Sequence, residues 1–521
     1  MSNNLNDHTM NRRHFMRQAA CAALGATAMV NTLASLKLTS AAMAQGIVQD
    51  DYKALVCIFL AGGNDSNNLL VPRGNSELRT DYQNGRGVIA LSNNQLHALT
   101  VPTTTMAFDQ YHDGSRSSMG IHPDAKGIAD LFNAKDLSFV CNVGTLAYPI
   151  QNRNQYINKS VPLPADLFSH SNQQMEWQTS VADRPSATGW GGRTADLLHA
   201  GYNGDASKVS MSISLDGANT FQRGVSAETA AFTVNSNGAR PLIGYGSTAD
   251  PYNRAYHDGA TYDEPNYKNS REGHRLKALE SLIKLTSDNL LEEAHMQKIM
   301  SSRAVSDTVN NALTAATATG TNFDQLFVDA QHNLGDQLKT VAQLIAGRTV
   351  LGNQRQIFFV QVGGYDVHQS HLSSHSDLMA ELSSGLMAFT DALKATGHWD
   401  KTVAYTASDF SRTFTPNGTD PDAGTDHAWG GHAMIMGGPV VGGELYGHFP
   451  SLKTGDESGS IDAHKGHGRW IPSTSVDQYS SVLARWFGVD SNSLETIFPN
   501  LGRFDDPVST TLANLRFIEG M

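Results

Sequence analysis

The chain has 521 residues, with 38 Lys and Arg against 50 Asp and Glu, a formal charge of -12 with His neutral. A hydrophobic fraction of 40% with 17% charged residues excludes a disordered chain and a polytopic membrane protein. No basic stripe lies beyond residue 17, which excludes nucleic acid as the main partner, since phosphate backbones reward clustered Lys and Arg.

The first element is an amino-terminal segment, NRRHFMR, that sets Arg12 and Arg13 before Phe15. A moderately apolar stretch, AACAALGATAMVNTLASL, follows, and Ala42-Met43-Ala44 precedes Gln45. The pattern resembles a twin-arginine export signal with a small-x-small cleavage site, spanning residues 1–44. Asn31, Thr32 and Ser35 interrupt its apolar core, which is too weak for a stable span of about 20 apolar residues. Cleavage after Ala44 removes Arg12, Arg13, Arg17 and Lys37 together with Asp7, and takes the charge from -12 to -15. The expectation is an acidic mature protein, residues 45–521, in the periplasm or secreted, with the twin-arginine machinery as its export partner.

Six apolar runs follow in the mature chain: 54–63, 137–144, 209–217, 356–364, 402–409 and 432–438. Most end in Gly or Asp, and their length and continuity predict strands buried on both faces, as in a parallel sheet. Segments 269–301, 323–347, 373–396 and 475–487 carry helical spacing. Strands alternating with helices predict one α/β domain, a mostly parallel central sheet sandwiched by helices. Residues 73–125, 145–168, 217–268 and 410–430, rich in Gly, Asn, Pro and Ser, read as functional loop insertions. Cys57 and Cys141 sit mid-run in ALVCIFL and LSFVCNV and read as two buried thiols, although an oxidising compartment permits a bridge.

Chemistry-bearing residues stand where the runs stop. Asp65 and Ser66 follow the first run; Asp366, His368 and His371 follow QIFFVQVGG; Asp409 and Arg412 follow TVAYTAS; His427 and His432 flank the last run in DHAWGGH. Ligands of open α/β sheets bind beyond the carboxyl ends of the strands. Carboxylates gathered there repel one another unless a cation sits among them, and imidazoles add donors that zinc, manganese or iron accept. Each motif also has a plainer reading: Asp65 as a turn, Asp366 or Asp409 as helix caps, His427 and His432 as buried core histidines. His464 and His467 read as solvated loop residues.

Taken in order, GGNDSNNLLVP, FSHSNQQMEWQ, TGWGGR, GGYDVH, SDFSRT, GTDHAWGGHAMIMGG and GRWIPSTSVDQYSSVLARWFGV resemble the exported bacterial family called domain of unknown function 1501. The resemblance spans essentially the whole mature chain. It implies kinship with the alkaline-phosphatase and sulfatase superfamily: an alkaline-phosphatase-like sheet, one or two divalent ions (Zn, Mn, Mg or Ca), and hydrolysis of phosphate or sulfate esters. It further implies Asp65, Asp366, His368, Asp409 and His427 as metal ligands. By the same resemblance Ser169 is the attacking hydroxyl, with Ser66 as the lesser candidate, and Arg412 pairs with the transferred anion. The substrate would be a small-molecule or envelope-polymer ester. Two departures stand out. Two-metal phosphatases carry His directly after the second Asp, where this chain has Phe410, and their middle pair is spaced by four, where position 370 is Ser. A non-catalytic envelope binding or assembly protein on the same fold, or an exported metal enzyme of another reaction class, is the alternative.

Overall fold

The structure, a computed structural model, describes residues 51–102, 118–226, 228–236, 266–283, 305–455, 460–509 and 515–520, with positions 105, 107, 238 and 239. The proposed signal at 1–44 and most of the segments 217–268 and 284–301 lie outside the described residues. No helix among the described residues is long and apolar enough to cross a membrane.

All six apolar runs form strands of one nine-stranded sheet. They are β1 (Lys53–Leu60), β5 (Leu137–Gly144), β6 (Ser212–Ser214), β8 (Arg355–Val362), β9 (Thr402–Ser408) and β10 (Gly431–Met436). The order is β11–β5–β10–β9–β1–β8–β6–β7, where β7 is Phe232–Thr233 and β11 is Leu445–Gly447; β12 (Thr474–Ser475) also pairs with β5. The sheet is mostly parallel. β1 runs parallel to both β8 and β9, while β10 alone runs antiparallel to its neighbours β5 and β9. The segment between β9 and β10 contains no crossover helix, so the chain returns in the opposite direction.

The helices are α1 (Ser66–Leu69), α2 (Glu77–Arg86), α3 (Lys126–Asn133), α4 (His170–Thr179), α5 (Trp190–Tyr202), α6 (Arg271–Ile283), α7 (Asn333–Ala346), α8 (His371–Ala395) and α9 (Val476–Phe487), besides a helical stretch over 305–317 and short pieces. Alternate side chains of β1 serve two cores. Ala54, Val56, Ile58 and Leu60 pack with α3, α7 and α8, whereas Leu55, Cys57 and Phe59 pack with α5 and α9. Both faces of the central strands are therefore dry, and the charged side chains of β1, β8 and β9 stand only at strand ends.

The stretch 73–125, expected to be loop, instead holds α2 and the strands β3 (His97–Ala98) and β4 (Met119–Ile121), which join β2 (Leu70–Pro72) in a small sheet of order β2–β4–β3. The buried side of α2 is Leu78, Arg79, Tyr82 and Arg86, so half of its inward stripe is charged and no apolar periodicity announces it. Ser76 caps this helix by accepting the Arg79 amide at 3.0 Å. The 323–347 segment is likewise interrupted. A short turn at Phe323–Leu326 precedes α7, whose first turn is capped by His332 accepting from the Gly335 amide at 3.2 Å.

Candidate metal centre

The parallel register carries three strand tips to one edge, because Leu60 lies opposite Val362 in β8 and opposite Ser408 in β9. Glycine lets these tips close together. At Gly62 (φ +114°) a Cβ would meet the Asp366 amide nitrogen at 2.4 Å, and at Gly63 (φ +88°) it would meet the Phe410 ring at 2.6 Å. Beyond the tips stand Asp65, Asp366 and Asp409, joined by His170 from the start of α4 and His427 from the loop before β10.

One ligand atom each from His170, Asp366 and His427 lies within 4.8 Å of the others, the one such group among the described residues. The two imidazole Nε2 atoms are 3.1 Å apart. His170 Nε2 is 3.4 Å from one Asp366 oxygen, and His427 Nε2 is 3.2 Å from the other. The tautomers follow from the partners on the far side of each ring. His170 Nδ1 is 2.6 Å from the Asp409 carboxylate and His427 Nδ1 is 2.8 Å from the Phe168 carbonyl. Both partners only accept, so both Nδ1 atoms carry the proton and both Nε2 atoms point inward. Burial above all, with Arg412 adding, holds the His427 imidazole below the ordinary histidine range and therefore neutral near pH 7.

Two facing lone pairs beside a carboxylate are mutually repulsive unless a cation lies among them. Donors about 2.0–2.1 Å from a tetrahedral zinc sit about 3.3 Å from one another. The two Nε2 atoms at 3.1 Å match that arrangement, and the two Asp366 oxygens lie beside them, one 3.2 Å from His427 and the other 3.4 Å from His170. The residues thus fit a divalent ion. His368 stands next to them, its Nε2 3.2 Å from His427 Nε2 and 2.9 Å from Asp366, and its Nδ1 3.3 Å from Asp426. That Nε2 also accepts from Arg412 at 3.3 Å.

The other expected ligands are engaged elsewhere. Asp65 is 1% exposed and is ion-paired with the fully buried Arg86, while His371 Nε2 donates to it at 2.8 Å. Burial pulls its carboxyl upward, but Arg86 and His371 prevail and hold it well below the usual carboxylate range. Asp409 is fully buried, and one oxygen takes the His170 Nδ1–H, the Gln174 amide at 3.0 Å and the Gly62 amide at 3.2 Å. It orients His170 instead of facing the cluster. Asp366 is 43% exposed; burial raises its carboxyl, and Arg412 at 2.6 Å more than reverses this.

Arg412 spends its fork within the protein, on Asp366, the Gly62 carbonyl, His368, and the Thr425 hydroxyl and carbonyl. Ser169 is the N-cap residue of α4 without a capping bond from its side chain, and its Oγ shares a hydrogen bond with Ser171 Oγ at 3.3 Å. Ser66 is buried and bonds Ser411 at 3.1 Å. Phe410, standing where a two-metal site would carry His, packs its ring 4.8 Å from both His170 and His427. His432 lies in β10, accepts the Asn142 amide at 3.2 Å, and is pushed down to about 3 by burial. His464 is not a solvated loop residue: it bonds Tyr156 at 2.9 Å and Arg469 at 2.8 Å.

Sequence reasoning named FSHSNQQMEWQ for its serine and passed over His170. The missed signal is the pair His170 and Gln174, which share a helix face at i,i+4 and reach the same Asp409 oxygen. The carboxylate behind a ligating imidazole raises its basicity and fixes its ring. Asp409→Asn, which keeps the shape but removes the charge, is expected to weaken divalent-ion binding about 10–100-fold. Chelator competition reads this, with the circular-dichroism spectrum unchanged.

Fold and site define an α/β protein with an imidazole–carboxylate cluster at the carboxyl edge of a mostly parallel sheet. The family described as Protein of unknown function (DUF1501) matches residues 52–498, and the chain belongs to it. No curated protein matches it significantly. Among solved structures, Ps i-CgsB in complex with k-i-k-neocarrahexaose aligns at 10% identity and TM-score 0.27 over 86% of this chain and 77% of that one. PsFucS1 sulfatase from Pseudoalteromonas sp. aligns at 9% identity and TM-score 0.30 over 88% of this chain and 72% of that one. Likeness at this level carries no argument about the site.

Proposed function

We propose that this is an exported, metal-dependent hydrolase of phosphate or sulfate esters. The observation that supports it is the convergence of His170 Nε2, His427 Nε2 and an Asp366 oxygen, with both imidazoles locked in the ligating tautomer. A divalent ion held there supplies Lewis-acid polarisation of the ester and neutralises charge on the transferred group. An ion held by these three donors alone would keep a position for substrate, as catalytic rather than structural sites do. Two nitrogens and one carboxylate favour zinc or manganese over magnesium or calcium, which prefer oxygen.

Around that centre the chain's own residues divide the work. Asp409 and the Phe168 carbonyl hold the two rings, Phe410 walls them from the sheet side, and Arg412 keeps Asp366 ionised. Ser169 carries the hydroxyl we assign to attack, since it adjoins His170 and does not cap its own helix. Both mature cysteines are buried in strands, where no modified-cysteine nucleophile could meet an ester, which tilts the reading toward phosphate. The amino-terminal pattern supports export by the twin-arginine route to the periplasm or beyond.

Asp65 paired with Arg86 and Arg412 committed to protein groups favour a second reading, a non-catalytic envelope protein that keeps the cation. Elemental analysis by mass spectrometry, together with turnover of 4-nitrophenyl phosphate and sulfate, separates the two. The hydrolase reading expects about one equivalent of divalent metal and turnover of one ester, with Ser169→Ala keeping the metal and losing activity. Metal without turnover of either ester supports the second reading, and protein that binds no metal and turns over neither overturns both.

A further inference from the structure

We infer that the cavity bounded by residues 156–168 receives the alcohol portion of the ester, and that this alcohol is an apolar ring and not a polyanionic sugar. The inference rests on the hydrolase reading and names its substrate class. The cavity has a volume of about 570 Å³, within the range of small-molecule sites. Tyr156, Val161, Pro162, Leu163, Leu167 and Phe168 supply most of its wall, and no carboxylate lines it. Lys159 is its one lining side chain with a permanent charge, and it is exposed. A polyanion would need a cluster of free cations. The nearby Arg469 is spent instead, stacked 4.4 Å over the Phe168 ring and donating to His464 Nδ1 at 2.8 Å.

Phe168 joins this cavity to the metal centre. Its ring belongs to the wall, and its carbonyl holds His427 Nδ1 at 2.8 Å. Phe168 adopts φ +71° and Asp166 φ +45°, left-handed conformations that non-glycine residues adopt at a cost and that gather at functional sites. Side chains of α4 pin the strained loop: Asn172 donates to Asp166 at 2.8 Å, and Gln173 accepts the Phe168 amide at 2.6 Å. The helix that delivers His170 therefore also sets the cavity wall, so a ring lodged there is held in fixed relation to the ligating imidazoles. Besides Lys159 and Ser160, the polar side of the wall is the Tyr156–His464 pair. Arg469 can only donate, so His464 presents Nε2–H to Tyr156 Oη at 2.9 Å, and the Tyr156 hydroxyl hydrogen is left to reach the ester oxygen side of a ligand.

The test uses the full-length metal-loaded protein with two phosphate esters of similar leaving ability, cyclohexylmethyl and ethyl. The cyclohexylmethyl ester is expected to have a kcat/KM at least about 10-fold higher, and Leu163→Asp should cut that ratio about 10-fold through KM. Binding of cyclohexylmethanol to the Asp366→Ala protein, followed by calorimetry, provides a readout that needs neither metal nor turnover. Turnover of both esters at equal rates, with no binding of the ring alcohol, overturns the assignment while leaving the hydrolase reading intact. Ring-alcohol binding that Leu163→Asp abolishes, with neither ester turned over, leaves the cavity as a ring-binding site and overturns both the hydrolase reading and the ester assignment.

Discussion

Asp366→Ala is expected to bind a divalent ion at least about 100-fold more weakly than the wild type, a larger loss than removal of an outer partner of a ligand causes. Asp366 is the one anion among the three converging donors. Its removal leaves two imidazoles and, beside them, a buried Arg412 that has lost its 2.6 Å carboxylate partner and repels an incoming cation. The fold should survive. Asp366 is 43% exposed, and Arg412 keeps the Gly62 carbonyl and the Thr425 hydroxyl and carbonyl as partners for its guanidinium. Thermal denaturation with and without zinc measures both effects. Zinc at about 100 times the wild-type Kd should stabilise the wild type by about 2.7 kcal/mol and the variant by no more than about 0.4 kcal/mol. Equal stabilisation of the two proteins would show that the ion sits elsewhere.

The second large effect is expected at a pair that holds no metal in our reading. Arg86→Leu removes a fully buried guanidinium from a carboxylate that is 1% exposed, and breaking such a pair costs about 3–5 kcal/mol. The same change strips hydrogen bonds from the Thr413 and Phe414 carbonyls, at 3.1 and 2.9 Å, and from Asn68 at 3.0 Å. The pH dependence has a definite sign. In the wild type the Asp65 carboxyl is depressed, so its contribution is present above the unfolded value of about 3.9 and fades as pH falls through the folded value. Without Arg86, burial raises the carboxyl above its unfolded value, so the variant loses stability as pH climbs from about 4. Urea unfolding should therefore show a larger deficit at pH 7.5 than at pH 4.5. Metal content should stay the same; a parallel loss of metal would place Asp65 in the coordination sphere.

The strands were legible because a strand dry on both faces must be a continuous apolar run, and no other short element need be. The helix expected at 373–396 is observed at His371–Ala395, and that at 475–487 as Val476–Phe487, both with long inward stripes. α2 was not legible, since Arg79 and Arg86 occupy half of its buried side. Nor was the direction of β10, because an apolar run carries no polarity and only the missing crossover hints at reversal. At the site, the gathering of carboxylates at one edge followed from where the runs stop. Their partners did not. Which cation meets Asp65 depends on Arg86 arriving from an unrecognised helix, and which ring meets Asp409 depends on His170, 239 positions away. Strand tips are a local property, whereas pairings across them belong to the tertiary fold.

The two mature cysteines have a bearing on biogenesis. Cys57 and Cys141 are free and buried, on strands β1 and β5 with β9 and β10 between them, and each belongs to a different core. Three strand spacings put them about 14 Å apart, more than twice the reach of a disulfide. Closing this sheet calls for no oxidant and no isomerase. The polypeptide can reach its finished shape with both thiols reduced and its metal donors already in place.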